Sequence, residues 1–262
     1  MPELVEVEAY RRLAETSALG RTIAEVVAPD PWYLKGGLTA GAAQDALRGR
    51  SLTAADRLGK LLLLATGEGG PVVGIRFGMT GRLVVDGTPG VESLRYSSNR
   101  AEARWDRFSL RFADGGTLAV RDPRRLGGVD LDPSEGRLGP DALTIGLAGL
   151  RVALDRSIVP LKARLLDQAH LAGVGNLIAD ETLWRAGLSP ERPAGGLTAA
   201  ELRRLHRHLR GTLADLMARG GSHTGDLMAE RRPGGHCPKD GTPLVRSTVG
   251  TRTTWWCPAH QR

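Results

Sequence analysis

The chain has 262 residues, 41% hydrophobic and 25% charged, with a formal net charge of +7; that length suits two or three folded units and that composition excludes a wholly disordered chain. It has no apolar run of the roughly 18 residues a membrane span needs, no basic-then-apolar export pattern at its start, and only two cysteines, Cys237 and Cys257, so a cytoplasmic protein with no membrane contact and no disulfide framework is expected. The positive excess suits a polyanionic partner, nucleic acid first, against the alternative of a plain solvated basic surface.

The chain opens "MPELVEVEAY", an acidic start to a basic protein. Over 3–16, Leu4, Val7, Tyr10 or Ala9, and Leu13 or Ala14 recur at helical spacing. Glu6 and Glu8 then fall in the first turns, where the helix dipole favours negative charge. Helix chemistry accounts for the glutamates but does not require Pro2, although proline is common at a first helical position.

From about 20 to 135 the texture changes to short β-prone runs such as "LLLLAT", "GRLVVDG" and "RFSLRFADGGTLAV", punctuated by Gly, Asp-Gly and Pro. This predicts an antiparallel sandwich or barrel-like unit. "DPSEGRLGPD" (132–141) reads as a linker. Helical periodicity returns over about 142–219, where Thr198 and Glu201 make a capping-box pattern. "GGSHTGDLMAERRPGGH" (220–236) reads as a loop.

The tail holds both cysteines. "CPKD" and "CPAH" share one template, with sixteen residues between Asp240 and Cys257. Two such knuckles on a β-hairpin are the layout of a zinc ribbon, with Cys237, Asp240, Cys257 and His260 as the ligand set and a structural zinc as the cofactor. His236 is an alternative to Asp240, and a metal-free hairpin fixed by Trp255 and Trp256 is the competing reading. In the helical middle, "LAGVGN" (171–176) places Gly173 and Gly175 before a helix that Asn176 opens. Backbone amides at such a helix start attract an anion such as a phosphate.

Several pieces together resemble the formamidopyrimidine-DNA glycosylase / endonuclease VIII family. They are "PELVEVE", "LGKLLLL" around Lys60, "RFGMTGRL" around Met79, "DPRRLGG" around Arg124, "LLDQAHLAGVGNLIADETLWRAGLSP" and "VGTRTTWWCPAHQR". Their order and spacing span nearly the whole chain. The resemblance implies a multidomain α+β fold: an N-terminal helix with an antiparallel β-sandwich over 1–135, a helix–two-turns–helix domain over 142–228, and a zinc-finger-like hairpin over 232–262. It implies a monomer acting on damaged double-stranded DNA, which lies across the cleft between domains.

The same resemblance supplies a chemistry. Removal of Met1 would free the secondary amine of Pro2 as nucleophile at C1′ of the damaged nucleotide, with Glu3 moving protons at the sugar and Lys60 contacting phosphate. An α-amino group is far less basic than a lysine side chain and is partly neutral near pH 7. Glu6 would act structurally or electrostatically. Asn176 and Arg252 would pinch the backbone around the flipped nucleotide, and Met79, Arg124 and Leu126 would fill the void it leaves. Exposed-lysine and core-packing roles are the plain alternatives for Lys60 and for Met79 and Leu126. Val5 stands where the family commonly has a second proline, and Leu126 where the formamidopyrimidine branch has phenylalanine. The short 220–236 stretch argues against efficient 8-oxoguanine removal and leaves formamidopyrimidines, oxidised pyrimidines, abasic sites and bulkier adducts. The competing function is a lesion-binding protein of the same fold without turnover; a sequence-reading DNA regulator is a third.

Overall fold

The computed structural model describes residues 2–67 and 69–262. The chain divides into two compact units, Met1–Glu135 and Gly136–Arg262. The division falls within the Pro/Gly-rich 132–141 stretch.

The first unit begins with α1 (Leu4–Ser17) and continues through β1 (Ile23–Val27), α2 (Ala40–Leu47), β2 (Leu52–Leu58), β3 (Leu61–Thr66) and β4 (Val72–Arg76). It ends with β5 (Arg82–Val85), β6 (Thr88–Pro89), β7 (Asp106–Phe112), β8 (Thr117–Arg121) and β9 (Gly128–Leu131). Two antiparallel sheets form, in the orders β1-β7-β8-β5-β6 and β2-β3-β4-β9. One core joins them: Leu62, Leu64 and Ile75 from one sheet, Leu83, Phe108 and Val120 from the other, and Val7 and Tyr10 from α1. Each such side chain contributes roughly 1.5–3 kcal/mol by leaving water. Consequently α1 is no surface helix; Leu4, Val5, Glu6, Val7 and Glu8 are all buried.

α2 lies inside the stretch read as strands alone. Its helix has a local cause. The Thr39 hydroxyl accepts the Ala42 amide at 3.1 Å, capping an alanine-rich segment of high helix propensity, and Ala43 and Leu47 anchor it in the core.

The second unit holds α3 (Leu147–Leu154), α4 (Leu161–Leu166), α5 (Asn176–Ala186), α6 (Ala199–Ala218) and a hairpin of β10 (Val245–Val249) and β11 (Arg252–Trp256). α5 is buried along almost its whole length and ends at Gly187, whose φ of +64° supplies the left-handed cap. α6 carries the expected Thr198–Glu201 capping box and buries Leu205, Leu209, Leu213 and Leu216 as one stripe. The β10–β11 turn has φ +57° at Gly250 and +63° at Thr251, the signature of a type I′ hairpin turn. The architecture is thus α+β, with the anticipated N-terminal helix, antiparallel sheets, helical region and C-terminal hairpin. Among the described residues, no helix is long and apolar enough to cross a membrane.

Candidate active site and metal centre

Pro2 and Glu3 stand immediately before α1, and both are buried. Glu6 closes the first turn: its Oε2 accepts the Glu3 amide at 2.8 Å, and both carboxylates are 1% exposed. A carboxylate next to the chain's first residues, held out of water, is suited to acid–base work at a bound substrate.

α1 also organises the loops around it. Glu8 Oε2 meets Arg57 Nε at 3.2 Å, and Arg57 Nη1 donates to the Gly59 carbonyl at 2.9 Å. Gly59, with φ +58°, and Lys60 form the two-residue turn between β2 and β3. Glycine is favoured at the first position of such a turn. Glu8 therefore ties the start of α1 to the turn that presents Lys60. Burial works to raise the Glu8 pKa, but hydrogen bonds from Arg11, Arg12 and Arg57 outweigh it and hold the carboxyl below its usual range. Two residues on, the Tyr10 hydroxyl donates to the Gly81 carbonyl at 3.2 Å, bracing the loop that carries Met79. Burial first, then the nearby Glu6 charge, pushes the Tyr10 phenol up and keeps it a donor.

Met79, Arg124 and Leu126 lie on two adjoining loops. Met79 is half-buried and Arg124 exposed, while Leu126 is 50% exposed, well above what a core leucine shows. The loops press together at Gly78, where an added Cβ would stand 2.4 Å from the Leu126 carbonyl carbon.

In the second unit, the Asn176 amide donates to the Thr253 carbonyl at 3.1 Å, placing it beside exposed Arg252. Beneath them is a network that local sequence gave no sign of. Buried Lys162 meets Asp180 at 2.7 Å, the Thr254 hydroxyl at 2.7 Å and the Thr253 carbonyl at 3.1 Å. Arg231 meets the other Asp180 oxygen at 2.6 Å, so one carboxylate is shared by two cations. These partners are up to 92 residues apart, so no short-range periodicity could reveal them.

The donor atoms of Cys237, Asp240, Cys257 and His260 all lie within 4.8 Å of one another. Cys237 Sγ is 3.5 Å from His260 Nδ1, Cys257 Sγ is 3.4 Å from Asp240 Oδ2, and Asp240 Oδ2 is 3.2 Å from Nδ1. A tetrahedral site with bonds of roughly 2.0–2.3 Å has edges of roughly 3.3–3.8 Å. The set therefore fits a metal ion. His260 Nε2 lies 3.0 Å from the Trp184 carbonyl, which fixes the ring so that Nδ1 faces the thiols. The exposed His236 is not part of the cluster.

The formamidopyrimidine-DNA glycosylase N-terminal domain matches residues 1–129, and the formamidopyrimidine-DNA glycosylase H2TH domain matches 138–227. A formamidopyrimidine-DNA glycosylase of Thermus thermophilus is 38% identical over 287 residues, spanning 100% of this chain and 98% of that protein. The chain belongs to the formamidopyrimidine-DNA glycosylase family. It is a DNA glycosylase of base-excision repair. A second family member, from Alkalilimnicola ehrlichii, is 33% identical with both chains fully covered. Among solved structures, the Lactococcus lactis Fpg in complex with abasic-site DNA shares the fold with a TM-score of 0.83, at 24% identity and full coverage of both chains.

Proposed function

We propose that this family member removes damaged bases from duplex DNA through an imine formed by Pro2 and then cuts the strand as a lyase. The buried Pro2–Glu3 pair at the head of α1 carries the reading, because removal of Met1 would free the Pro2 amine next to a carboxylate shielded from water. With Met1 removed, the Pro2 nitrogen attacks C1′ and forms a C–N bond. The glycosidic bond breaks, and the base leaves with a proton. Glu3 exchanges protons at the sugar oxygen as the ring opens. Loss of a C2′ proton from the resulting iminium then expels the 3′ phosphate, breaking the C3′–O bond.

Lys60, Asn176 and Arg252 contact phosphate in this reading, and arginine suits the task because its planar fork binds two oxygens at once. Met79, Arg124 and Leu126 fill the void, and Glu6 supports Glu3 structurally. Cys237, Asp240, Cys257 and His260 hold a structural zinc that shapes the hairpin bearing Arg252. The +7 charge favours association with DNA, and the protein works as a cytoplasmic monomer.

Substrate range follows from residues 220–236. Glu181 accepts the Asp226 and Leu227 amides at 3.0 Å each, and Arg231 is bound to Asp180, so this segment is fastened to α5. A fastened segment is poorly suited to closing over 8-oxoguanine. Formamidopyrimidines, oxidised pyrimidines, abasic sites and bulkier adducts are the expected substrates.

Borohydride trapping on a duplex with one abasic site tests the mechanism. The native protein is expected to form a covalent complex mapping to Pro2, while Pro2→Gly traps weakly and Glu3→Gln slowly. Undiminished trapping by an N-terminally tagged protein that keeps its tag would refute the Pro2 assignment.

A further inference from the structure

The two loops that carry Met79, Arg124 and Leu126 share an anchor, Asp122. It follows β8 directly and is fully buried. Among the described residues, no ion pair meets its charge. Four hydrogen-bond donors do. The Thr80 hydroxyl donates to Oδ1 at 2.5 Å and the Arg124 amide at 3.2 Å, while the Leu126 and Gly127 amides donate to Oδ2 at 2.9 Å each. Burying a carboxylate is costly unless it is hydrogen-bonded throughout. Here the compensating donors are Thr80, directly after Met79, and the backbone of the Arg124–Gly127 turn itself.

Two further features fit one rigid assembly. Gly78 lets the loops touch where any side chain would collide with Leu126. Arg125, at φ +58°, is turned out of the turn and clamped by both Asp30 oxygens at 2.5 and 2.7 Å, leaving Arg124 and Leu126 exposed on either side. A non-glycine residue in this left-handed region persists only where its surroundings over-determine it.

We propose that Asp122 is a positioning residue that joins the two loops into one rigid wedge, so that it governs how readily a base is extruded from the duplex and not how the sugar reacts. The proposal rests on the reading of Met79, Arg124 and Leu126 as void-fillers. Asp122→Asn keeps the volume but turns one accepting oxygen into a donor, so at least one of the four hydrogen bonds is lost. Excision of a damaged base from duplex DNA is expected to fall about tenfold, the effect of losing one charge-assisted hydrogen bond. Borohydride trapping on a single-stranded abasic oligonucleotide, which has no opposite strand to wedge, is expected to stay within twofold. Thr80→Val, which cuts only the link between loops, is expected to shift the same ratio in the same direction by a smaller factor.

A second readout separates this proposal from the chemistry. In a Pro2→Gly background, 2-aminopurine opposite the lesion reports unstacking when protein is added, and Asp122→Asn is expected to weaken that signal. An equal fall in excision and single-strand trapping, or no change in either, overturns the proposal. Native protein that fails to trap at all refutes the imine reading, while the 2-aminopurine signal still decides the role of Asp122.

Discussion

Glu8 and Arg57 form an ion pair with both side chains inside the first unit, Oε2 to Nε 3.2 Å apart and 8% and 5% exposed. Removing one partner of such a pair strands the other charge. Glu8→Gln removes the buried negative charge beside Arg57, while Arg11 and Arg12 retain access to water. A loss of about 2–3 kcal/mol is expected, below the roughly 3–5 kcal/mol of a fully buried pair because two of the three guanidiniums can be resolvated. That corresponds to a fall of roughly 6–10 °C in melting temperature. A melt within 1 °C of the native protein would show that the pair does not brace α1 against the Lys60 turn.

Glu201 gives a pH dependence with a defined sign. A hydrogen bond from Arg192, then the Thr198 amide, lowers its pKa from 4.5 to about 2. A carboxylate depressed on folding contributes stability that is fully present above the unfolded value and is lost as pH falls through the folded one. The window is therefore pH 4.5 down to about 2. The Glu201 side chain is 21% exposed, so screening reduces the contribution to about 1 kcal/mol. Melts across that window are expected to show native protein losing its advantage over Glu201→Gln as pH falls. Parallel curves for the two proteins would contradict the assignment.

Arg252 is exposed at the start of β11 and next to the Asn176–Thr253 hydrogen bond. Each phosphate contact releases counterion, so log affinity falls with log salt at a slope of roughly −0.9 per contact. Arg252→Ala is expected to flatten the slope by about 0.9 on duplex DNA, with Arg252→Lys keeping the slope but losing the bidentate geometry. Titrations between 50 and 200 mM salt, the range over which such slopes are measured, decide it; an unchanged slope for Arg252→Ala removes Arg252 from the phosphate contacts.

What was legible in the chain was what depends on neighbours. α1, α5 and α6 followed from apolar spacing, and the Thr198–Glu201 cap from a four-residue pattern. The Cys237, Asp240, Cys257 and His260 cluster followed from two short knuckles, and the family from ordered motifs. α2 has only weak local signals, Thr39 and a run of alanines, and lies between strand-like segments whose pattern dominates the region. Locally Glu8 has only the helix dipole as a signal, since its partner Arg57 is 49 positions away. Lys162 was hidden for the same reason. A lysine at helical spacing looks solvated until a fold brings Asp180 and Thr254 around it.

Leu126 stands where the formamidopyrimidine branch carries phenylalanine, and it is half exposed on an anchored backbone. A side chain that inserts between bases should matter to DNA and not to stability. Leu126→Ala is expected to melt within about 0.5 kcal/mol of the native protein, as exposed substitutions do. Its excision rate from duplex DNA should nevertheless fall several-fold. Leu126→Phe, with a larger stacking face, should widen discrimination between bases opposite the lesion. A stability loss of several kcal/mol on truncation would place Leu126 in the core.

Cys237, Asp240, Cys257 and His260 lie close enough together to hold a zinc ion, and this can be tested. The hairpin and its knuckles have little apolar core of their own: Trp184, Leu227, Cys237 and Cys257, with Leu244 packed against them. A small unit of this kind depends on a staple. Purified protein is expected to contain one zinc per chain by elemental analysis, and strong chelation to lower its melting temperature and its DNA affinity together, since Arg252 lies on the stapled hairpin. Asp240→Cys, which supplies a softer ligand in place of a carboxylate, should hold zinc against higher chelator concentrations. Cys257→Ser should lose the metal. If active, folded protein contains no zinc and ignores the chelator, the side chains hold the hairpin by their own contacts: Trp184 Nε1 to Cys237 Sγ at 3.4 Å and His260 Nε2 to the Trp184 carbonyl at 3.0 Å.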